Sequence, residues 1–380
     1  MITLPAEGEL TTVAIGDVST EAGAVIADAQ IAFRRWGAPA GDPHGRNNIL
    51  LVEHALTGDS DASDWWCEAV GPGKALDTDE WCVICTNSLG SCYGSTGPAA
   101  AHPDGGTWGS RFPAISIRDM VAAERALLGR LGIGRVHAVL GGSMGGARAL
   151  EWTLMYPEHV AYALVLAVSA RASAWQIGIQ TAQITSITHD PAWHGGDYYS
   201  TGEKPDAGLA AARRLAHLTY RGELELDERF GTSAQPGENP LGAFRADGQR
   251  FAVQSYLEHQ GQKLTQRFDA GCYVALTEAL NRHDVGRGRG GLNKALAAST
   301  VPTMIVGVDT DILYPYHQQE HLSRNLGNLM AMSKLSSPVG HDAFLVEARQ
   351  MDRILRNFIT LTRETPSAHD IAAERGAYDI

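Results

Sequence analysis

Residues 136–146 read VHAVLGGSMGG, and residues 147–155 after them have the composition of a helix. A short apolar run of this kind is typical of a buried strand, so the segment predicts a strand, a tight turn and a helix. Glycines at Gly141 and Gly145 leave room for a strained turn that a β-carbon would block. Such a turn lifts the hydroxyl of Ser143 clear of the sheet edge. Ser143 is therefore a candidate nucleophile.

A serine hydroxyl needs a base that removes its proton and an acid that orients the base. Residues 301–308 predict a buried strand that runs into Asp309 and Asp311. Residues 331–336 predict a shorter strand that precedes His341. The order of serine, acid and histidine, each in a loop after a strand, is that of a known catalytic arrangement. The spacing leaves Asp309 and Asp311 as alternatives, because both leave the same strand.

Two backbone N–H groups are candidates for an oxyanion hole. Met144 follows the serine at the start of a helix, where the helix dipole and an unpaired donor favour developing negative charge. The loop after a strand at 49–53 offers the N–H of Leu56 as a second donor. An ordinary turn that ends at Gly58 is equally consistent with the sequence of this loop.

Alternating strand and helix patterns predict an α/β fold with a mostly parallel, doubly wound sheet. About 130 residues separate the two strands that follow Ser143, far more than the two to six residues of a usual connection. Helical patterns within them predict an inserted lid with helices at 207–220, 249–266 and 270–282. The other predicted elements are an opening antiparallel pair at 13–15 and 24–36, strands at 49–53, 81–86, 136–140 and 163–169, and a helix at 116–131. The predicted domains are a core at 1–170 and 300–380 and a helical lid at 171–299.

The bulk composition predicts a cytoplasmic globular protein. No apolar run reaches the ~18–20 residues that a membrane span requires, and the first ten residues lack the pattern of a signal peptide. Five cysteines are an odd number without the density of a disulfide scaffold, which indicates reduced thiols. Cys82 and Cys85 have C-x-x-C spacing, but a strand turns them to opposite faces and no second pair follows, so no metal site is expected.

Charge is unevenly distributed along the chain. The net charge is −12, which argues against nucleic acid as a partner. Residues 171–300 hold 14 basic and 14 acidic residues, so the rest of the chain carries the whole excess of negative charge. A polyanionic substrate would find its basic contacts more readily on this middle segment.

Several longer motifs resemble the homoserine O-acetyltransferase family across nearly the whole chain. They are HALTGDSDASDWW at 54–66, GPGKALDTDEWCVICTNSLGSCYGSTGP at 71–98, GGSMGG at 141–146, AARRLAHLTYR at 211–221, DTDILYP at 309–315 and GHDAF at 340–344. The resemblance implies an α/β-hydrolase fold and transfer of an acetyl group from acetyl-CoA to the hydroxyl of L-homoserine. It also implies a homodimer joined through the lid helices, with no metal and no cofactor apart from the co-substrate acetyl-CoA.

The resemblance assigns the catalytic roles. The family's nucleophile, acid and base fall on Ser143, Asp311 and His341, which selects Asp311 over Asp309. No motif in the sequence identifies contacts for the nucleotide of coenzyme A.

The resemblance also assigns an acceptor site. The family's amino-acid-binding arginine falls on Arg213, with Tyr220 in the same predicted helix, and its partner carboxylate falls on Asp342. A zwitterionic acceptor needs one fixed cation and one fixed anion, which these residues would supply. From the sequence alone, Arg213 could equally be a surface arginine, with Arg214 as the alternative, and Asp342 could be the N-cap of the final helix.

Other activities remain as alternatives at the level of sequence. A succinyltransferase or a serine O-acetyltransferase would use the same residues, although Ala55-Leu56 without a nearby arginine in sequence favours a short acyl group. An esterase explains the motif around Ser143 equally well, but it needs no clamp for a zwitterion. The complete set of three candidate catalytic residues disfavours a binding protein without catalytic activity.

Overall fold

The structure confirms the predicted α/β fold class. We describe residues 4–41, 47–242 and 248–367 of a computed structural model. The described strands are β1 Thr11–Ser19, β2 Val25–Trp36, β3 Ile49–Glu53, β4 Cys82–Thr86, β5 Val136–Gly142, β6 Val160–Leu166, β7 Thr303–Val308 and β8 Leu329–Leu335. They form one sheet in the order β1-β2-β4-β3-β5-β6-β7-β8. Strand β2 pairs antiparallel with β1 and β4, and every later neighbour is parallel.

Helices cover both faces of the sheet. The α-helices within the described residues are α1 Ala62–Trp65, α2 Ile117–Arg130, α3 Met144–Met155, α4 Ala174–Thr188, α5 Asp206–Tyr220, α6 Glu223–Phe230, α7 Ala252–Thr265, α8 Ala270–Asn281, α9 Leu292–Ala297, α10 Tyr316–Asn325, α11 Ala343–Val346 and α12 Ala348–Glu364. Helices α2 and α3 bury their apolar residues in one core layer, and α12 does so in the other. None of these helices is both long and apolar enough to cross a membrane.

Apart from half-buried His137 in β5, the central strands are buried along their whole length, which explains their apolar runs. Alternation along β4 places Cys82 in the core layer of α2 and α3, and Cys85 in the layer of α12. The expectation that the C-x-x-C spacing separates these two thiols is therefore confirmed.

The chain between β6 and β7 contains helices α4 to α9, which we call the helical insertion. Helices α5, α7 and α8 match the predicted ones within a few residues, whereas α4 and α6 were not predicted. The prediction of β6 at 163–169 is wrong by three residues, because the strand is Val160–Leu166. The chain leaves the sheet at Ala167, which has φ +46°. The residues after it are still buried, so their sequence looks like a continuation of the strand.

Candidate active site

Ser143 occupies a strained turn between β5 and α3. Its φ is 57° and its ψ is −123°, a combination that is costly for a residue with a β-carbon. A β-carbon on Gly145 would lie 2.0 Å from the carbonyl oxygen of Glu53, and one on Gly141 would lie 2.6 Å from the carbonyl carbon of Gly145. The two glycines therefore allow the turn to pack against β3.

The three candidate catalytic side chains form a continuous hydrogen-bonded chain. His341 Nε2 lies 2.9 Å from Ser143 Oγ, and His341 Nδ1 lies 2.6 Å from Asp311 Oδ2. Because a carboxylate only accepts, Nδ1 carries the proton, and Nε2 of the neutral ring accepts from the serine hydroxyl. All three residues are buried. This arrangement can deprotonate the serine.

The structure separates the two aspartates at the end of β7. Asp311 accepts hydrogen bonds of 2.8 Å from the backbone N–H groups of Leu313 and Tyr314, which fix its other oxygen. Asp309 instead accepts from the hydroxyl of Ser336 and the N–H of Ser337. Asp309 therefore holds the loop after β8, while Asp311 faces His341.

The surroundings of His341 favour its charged form once a proton arrives. Burial lowers the pKa of His341, but the neighbouring Asp311 carboxylate outweighs it, so that the pKa lies above its usual value. The rings of Tyr220, Tyr314 and Phe344 surround the imidazole, with centroids 5.8, 5.4 and 5.7 Å from it. These rings also restrict the orientation of the base.

Arg213 on α5 lies beside the loop that contains Leu56 and Thr57, and it forms no ion pair with any described residue. Its guanidinium lies 5.5 Å from the ring centroid of Tyr220 and donates a 3.4 Å hydrogen bond to Thr57 Oγ1. It borders a cavity of about 310 Å³ that Gly58 also lines. Arg214, the alternative, does not line this cavity.

Asp342 follows His341 directly and occupies the N-cap position of α11, but its carboxylate does not cap that helix. Its side chain makes no hydrogen bond to the first turn of α11, so the N-cap alternative is wrong for the carboxylate. Burial raises the pKa of Asp342, and the positive charges of His341, Arg213 and Arg221 oppose the rise. The Arg221 guanidinium lies 3.8 Å from the carboxylate. The anion is therefore held near the base with capacity for a further donor.

Comparison with known proteins adds the family. A model of the alpha/beta hydrolase fold matches residues 48–348. Homoserine O-acetyltransferase of Corynebacterium efficiens is 69% identical over 358 residues, which cover 94% of this chain and 95% of that protein. The chain belongs to the homoserine O-acetyltransferase family. The resemblance drawn from its motifs is thus confirmed.

Solved structures with the same architecture have more than one activity in their names. A homoserine O-acetyltransferase from Staphylococcus aureus is 26% identical, with a TM-score of 0.74 and coverage of 96% of this chain and 99% of that chain. The acetyl esterase MekB is 25% identical, with a TM-score of 0.77 and coverage of 94% and 97%. The fold of the homoserine O-acetyltransferase family therefore does not by itself separate transfer from hydrolysis.

The proposed oxyanion donors have free backbone N–H groups. Neither the N–H of Leu56 nor that of Met144 has an acceptor among the described residues. Both residues are buried, and an unpaired N–H in a buried position is costly unless a ligand or solvent uses it. Both groups are thus available to stabilise an oxyanion.

Sequence reasoning missed the residues that hold the Leu56 loop in place. Arg148 on α3 donates a 2.7 Å hydrogen bond to the carbonyl of His54. The His54 ring donates from Nδ1 to the carbonyl of Ala55, and its Nε2 accepts from the N–H of Ser88. Burial, with a smaller contribution from Arg148, lowers the pKa of His54 to about 3, so the ring stays neutral. The loop is therefore tied to both α3 and the end of β4.

Arg148 also belongs to a fully buried charge cluster. It lies 2.7 Å from a carboxylate oxygen of Glu53 on β3 and 2.7 Å from one of Glu124 on α2. The indole N–H of Trp152 donates to the other oxygen of Glu124. Burial raises the pKa of Glu53 far above its usual value, despite the attraction of Arg148. No spacing in the sequence signals this cluster, because its members come from three elements.

The argument that no arginine lies near Ala55-Leu56 is wrong in the folded chain. No arginine is near Ala55-Leu56 in sequence, but Arg267 of the helical insertion donates a 2.7 Å hydrogen bond to the carbonyl of Thr57. Together with Arg213, it places two cations beside this loop. This loop does not lack positive charge, so the sequence-based argument against a succinyl donor fails.

Proposed function

We propose that this chain transfers the acetyl group of acetyl-CoA to the hydroxyl of L-homoserine through an acyl-serine intermediate. The proposal rests on Arg213, a cation without a carboxylate partner among the described residues, and on Asp342, an anion adjacent to the base. A homoserine zwitterion presents one carboxylate and one ammonium group, so it can pair with both. A plain esterase has no need for this pair. The names of relatives up to 69% identical support the same activity.

In the first half-reaction, His341 Nε2 takes the proton of Ser143 as Oγ attacks the thioester carbonyl. The N–H groups of Leu56 and Met144 hold the oxyanion. When the C–S bond breaks, the imidazolium returns the proton to the sulfur, and coenzyme A leaves as a thiol. The serine remains acetylated.

In the second half-reaction, Arg213 holds the homoserine carboxylate and Asp342 holds its ammonium. The homoserine hydroxyl gives its proton to His341 Nε2 and attacks the acyl carbon. The ester bond to Ser143 breaks, and Oγ recovers the proton from the imidazolium. The product is O-acetyl-L-homoserine, and the enzyme returns to its starting state without a metal or a further cofactor.

Transfer must also compete with hydrolysis of the acyl-serine by water. We propose that the core comprises residues 1–170 and 300–380, and that residues 171–299 act as a lid which limits the entry of water. The end of α5 contacts the loop of the base, because the N–H of Asp342 donates to the carbonyl of Tyr220. The lid therefore supplies both shielding and the acceptor's cation.

The release of coenzyme A tests this function. With acetyl-CoA as donor, we expect sustained release only when L-homoserine is present, since each turnover requires an acceptor. Succinyl-CoA and L-serine serve as the matched alternative donor and acceptor and should give lower kcat/KM. Sustained release without any amino acid would instead identify an esterase. A preference for succinyl-CoA would show that the chain transfers a succinyl group and not an acetyl group.

We further propose a cytoplasmic homodimer joined through the helical insertion. Leu218 on α5 is 44% exposed and Leu224 on α6 is 69% exposed, which leaves apolar surface on neighbouring helices. All five cysteines are free thiols in the structure, and we propose that they remain reduced. Sedimentation of the wild type should give a dimer, and Leu224→Glu should shift it towards monomer. A wild-type monomer at micromolar concentration would contradict this assembly.

A further inference from the structure

A second cavity, of about 860 Å³, is lined by residues that follow the carboxyl end of β6. Residues 169–174 at the start of α4 form one wall, and residues 281–284 at the end of α8 form another. Helix α10 contributes a third wall, which includes His317 and Gln318 of its first turn. The mechanism proposed above uses none of these residues.

Basic side chains outnumber acidic ones in the lining of this cavity. It contains four arginines and a single carboxylate, Asp284; the arginines are Arg171, Arg282, Arg287 and Arg324. Arg171 forms no ion pair with any described residue. The other three pair with glutamates that do not line the cavity: Glu278, Glu21 and Glu320 respectively. Exposed pairs of this kind contribute little, so the guanidinium groups can exchange partners for a ligand at low cost.

One helix of sufficient length begins at the cavity, and a second runs along it. Ala174 is the first residue of α4, which has 15 residues, whereas α10 lines the cavity with one face, from His317 in its first turn to Arg324 in its last. The helix dipole and the N–H groups of Ala174 and Trp175, which have no acceptor among the described residues, make the start of α4 favourable for phosphate. Its position beside the arginines strengthens the preference of this cavity for an anion.

A buried histidine in the lining requires a donor as well. His283 is 4% exposed, and its Nε2 lies 3.1 Å from the carbonyl oxygen of Ser169, so Nε2 carries a proton. Burial lowers the pKa of His283 and keeps the ring neutral. Nδ1 is therefore an acceptor, and it has no hydrogen-bond partner among the described residues. An ionised phosphate oxygen only accepts and cannot satisfy Nδ1, whereas the amino group of a nucleobase donates and can.

The cavity wall begins on the strand next to the one that carries the candidate nucleophile. Ser143 follows β5, and the wall at 169–174 follows β6, the parallel neighbour of β5, so both leave the same edge of the sheet. Trp175, next to Ala174, donates a 2.8 Å hydrogen bond to the carbonyl of Ile312, the residue after Asp311. The first turn of α4 thus connects the cavity wall to the acid loop.

We propose that this cavity binds the nucleotide end of the thioester donor, an adenosine that carries phosphates at its 3′ and 5′ positions. The arginines and the start of α4 bind the phosphates, His283 accepts from the base, and the flexible arm of the donor extends to Ser143. This inference rests on the proposed function, in which coenzyme A carries the acyl group. It also agrees with the neutral charge balance of residues 171–300 in an otherwise acidic chain.

Calorimetric titration with adenosine 3′,5′-bisphosphate tests the site without any reaction. The wild type should bind it, and Arg171→Ala and Arg324→Ala should each weaken binding about tenfold, the effect of one lost charged hydrogen bond. Arg349→Ala on α12 removes an exposed arginine outside the cavity and should bind as the wild type does. Unchanged binding in both cavity variants would overturn the proposal, as would inorganic phosphate that binds as tightly as the bisphosphate.

Kinetics with two donors separate this proposal from the proposed function. Acetyl-pantetheine carries the same thioester without the nucleotide. In Arg171→Ala, the KM for acetyl-CoA should rise about tenfold relative to the KM for acetyl-pantetheine. An equal change for both donors would overturn the nucleotide site, while a wild type that uses neither donor would overturn the proposed function instead.

Discussion

The protonation of His341 decides whether Ser143 has an acceptor for its proton. Because Asp311 raises the pKa of His341 despite burial, the imidazole is charged below a pKa that lies above its usual value of 6.5. Only the neutral form is a base, so kcat/KM for acetyl-CoA should fall as the pH drops through this raised pKa. A pH profile of coenzyme A release measures the midpoint. A midpoint below 6.5 would contradict this interaction.

The two aspartates after β7 should differ sharply in their effect on turnover. Asp311→Asn removes the charge that orients His341 and should reduce kcat by about 10³ to 10⁴. Asp309→Asn alters only contacts with Ser336 and Ser337, so its kcat should fall far less. Steady-state kinetics of the two variants, each checked for folding by circular dichroism, give the comparison. The reverse ranking would refute the role of Asp311.

The candidate catalytic residues were predictable from the sequence, while their supports were not. Ser143, Asp311 and His341 each follow a recognisable strand, and the turn around the serine carries its own glycine pattern. Arg148 instead looks like any helical arginine, because its partners Glu53 and Glu124 lie on other elements. Burial turns these ordinary charges into a structural cluster, and burial depends on the complete fold.

Among the elements, the junction between α5 and the loop of the base is unusually tight. A β-carbon on Gly222 would lie 2.1 Å from the carbonyl oxygen of Pro338. Gly222→Ala should therefore displace this loop, cost about 1–3 kcal/mol of stability and reduce kcat. Gly178→Ala in α4 is the control, since nothing lies within 4 Å of its β-carbon. The midpoint of thermal unfolding and kcat should both be lower in Gly222→Ala than in Gly178→Ala. Equal values in the two variants would show that the junction tolerates movement.

The contact between α3 and the Leu56 loop can be tested through Arg148. Arg148→Ala leaves buried Glu53 and Glu124 without their cation and should lower the free energy of unfolding by about 3–5 kcal/mol. Arg148→Lys keeps the charge but cannot reproduce the fork of hydrogen bonds that includes the His54 carbonyl. We expect this variant to lose more kcat than stability, as urea unfolding and steady-state kinetics would show. Full activity in Arg148→Lys would show that the hydrogen bond from Arg148 to the Leu56 loop does not support catalysis.

Regular amphipathic or apolar patterns made most elements predictable. Helix α4 was missed because its buried face contains Gln176, Gln180 and Gln183, so the usual apolar period is absent. Gln176 donates to the hydroxyl of Tyr314, whose ring lies beside His341. Helix α6 has only eight residues and none of them is buried, so its apolar pattern is too short to predict a helix. Neither helix therefore shows the regular spacing of apolar residues from which a helix can be predicted.

At the scale of the whole molecule, the proposed mechanism assigns the two half-reactions to different parts of the chain. In that mechanism the core supplies the residues that accept the acetyl group, whereas Arg213 in the helical insertion serves only the acceptor. Arg213→Ala should therefore still form the acetyl-enzyme, but its kcat/KM for L-homoserine should fall at least about tenfold. Rapid-quench measurement of each half-reaction distinguishes them. Equal loss in both would assign Arg213 a structural role, and no loss would shift attention to Arg214.

Intact-protein mass spectrometry tests the central claim, covalent transfer through Ser143, most directly. After brief exposure to acetyl-CoA, the wild type should gain one acetyl group, and added L-homoserine should remove it as O-acetyl-L-homoserine appears. Ser143→Ala should gain none while remaining folded. An acetyl group that persists on Ser143→Ala, or one on the wild type that L-homoserine does not discharge, would contradict the account.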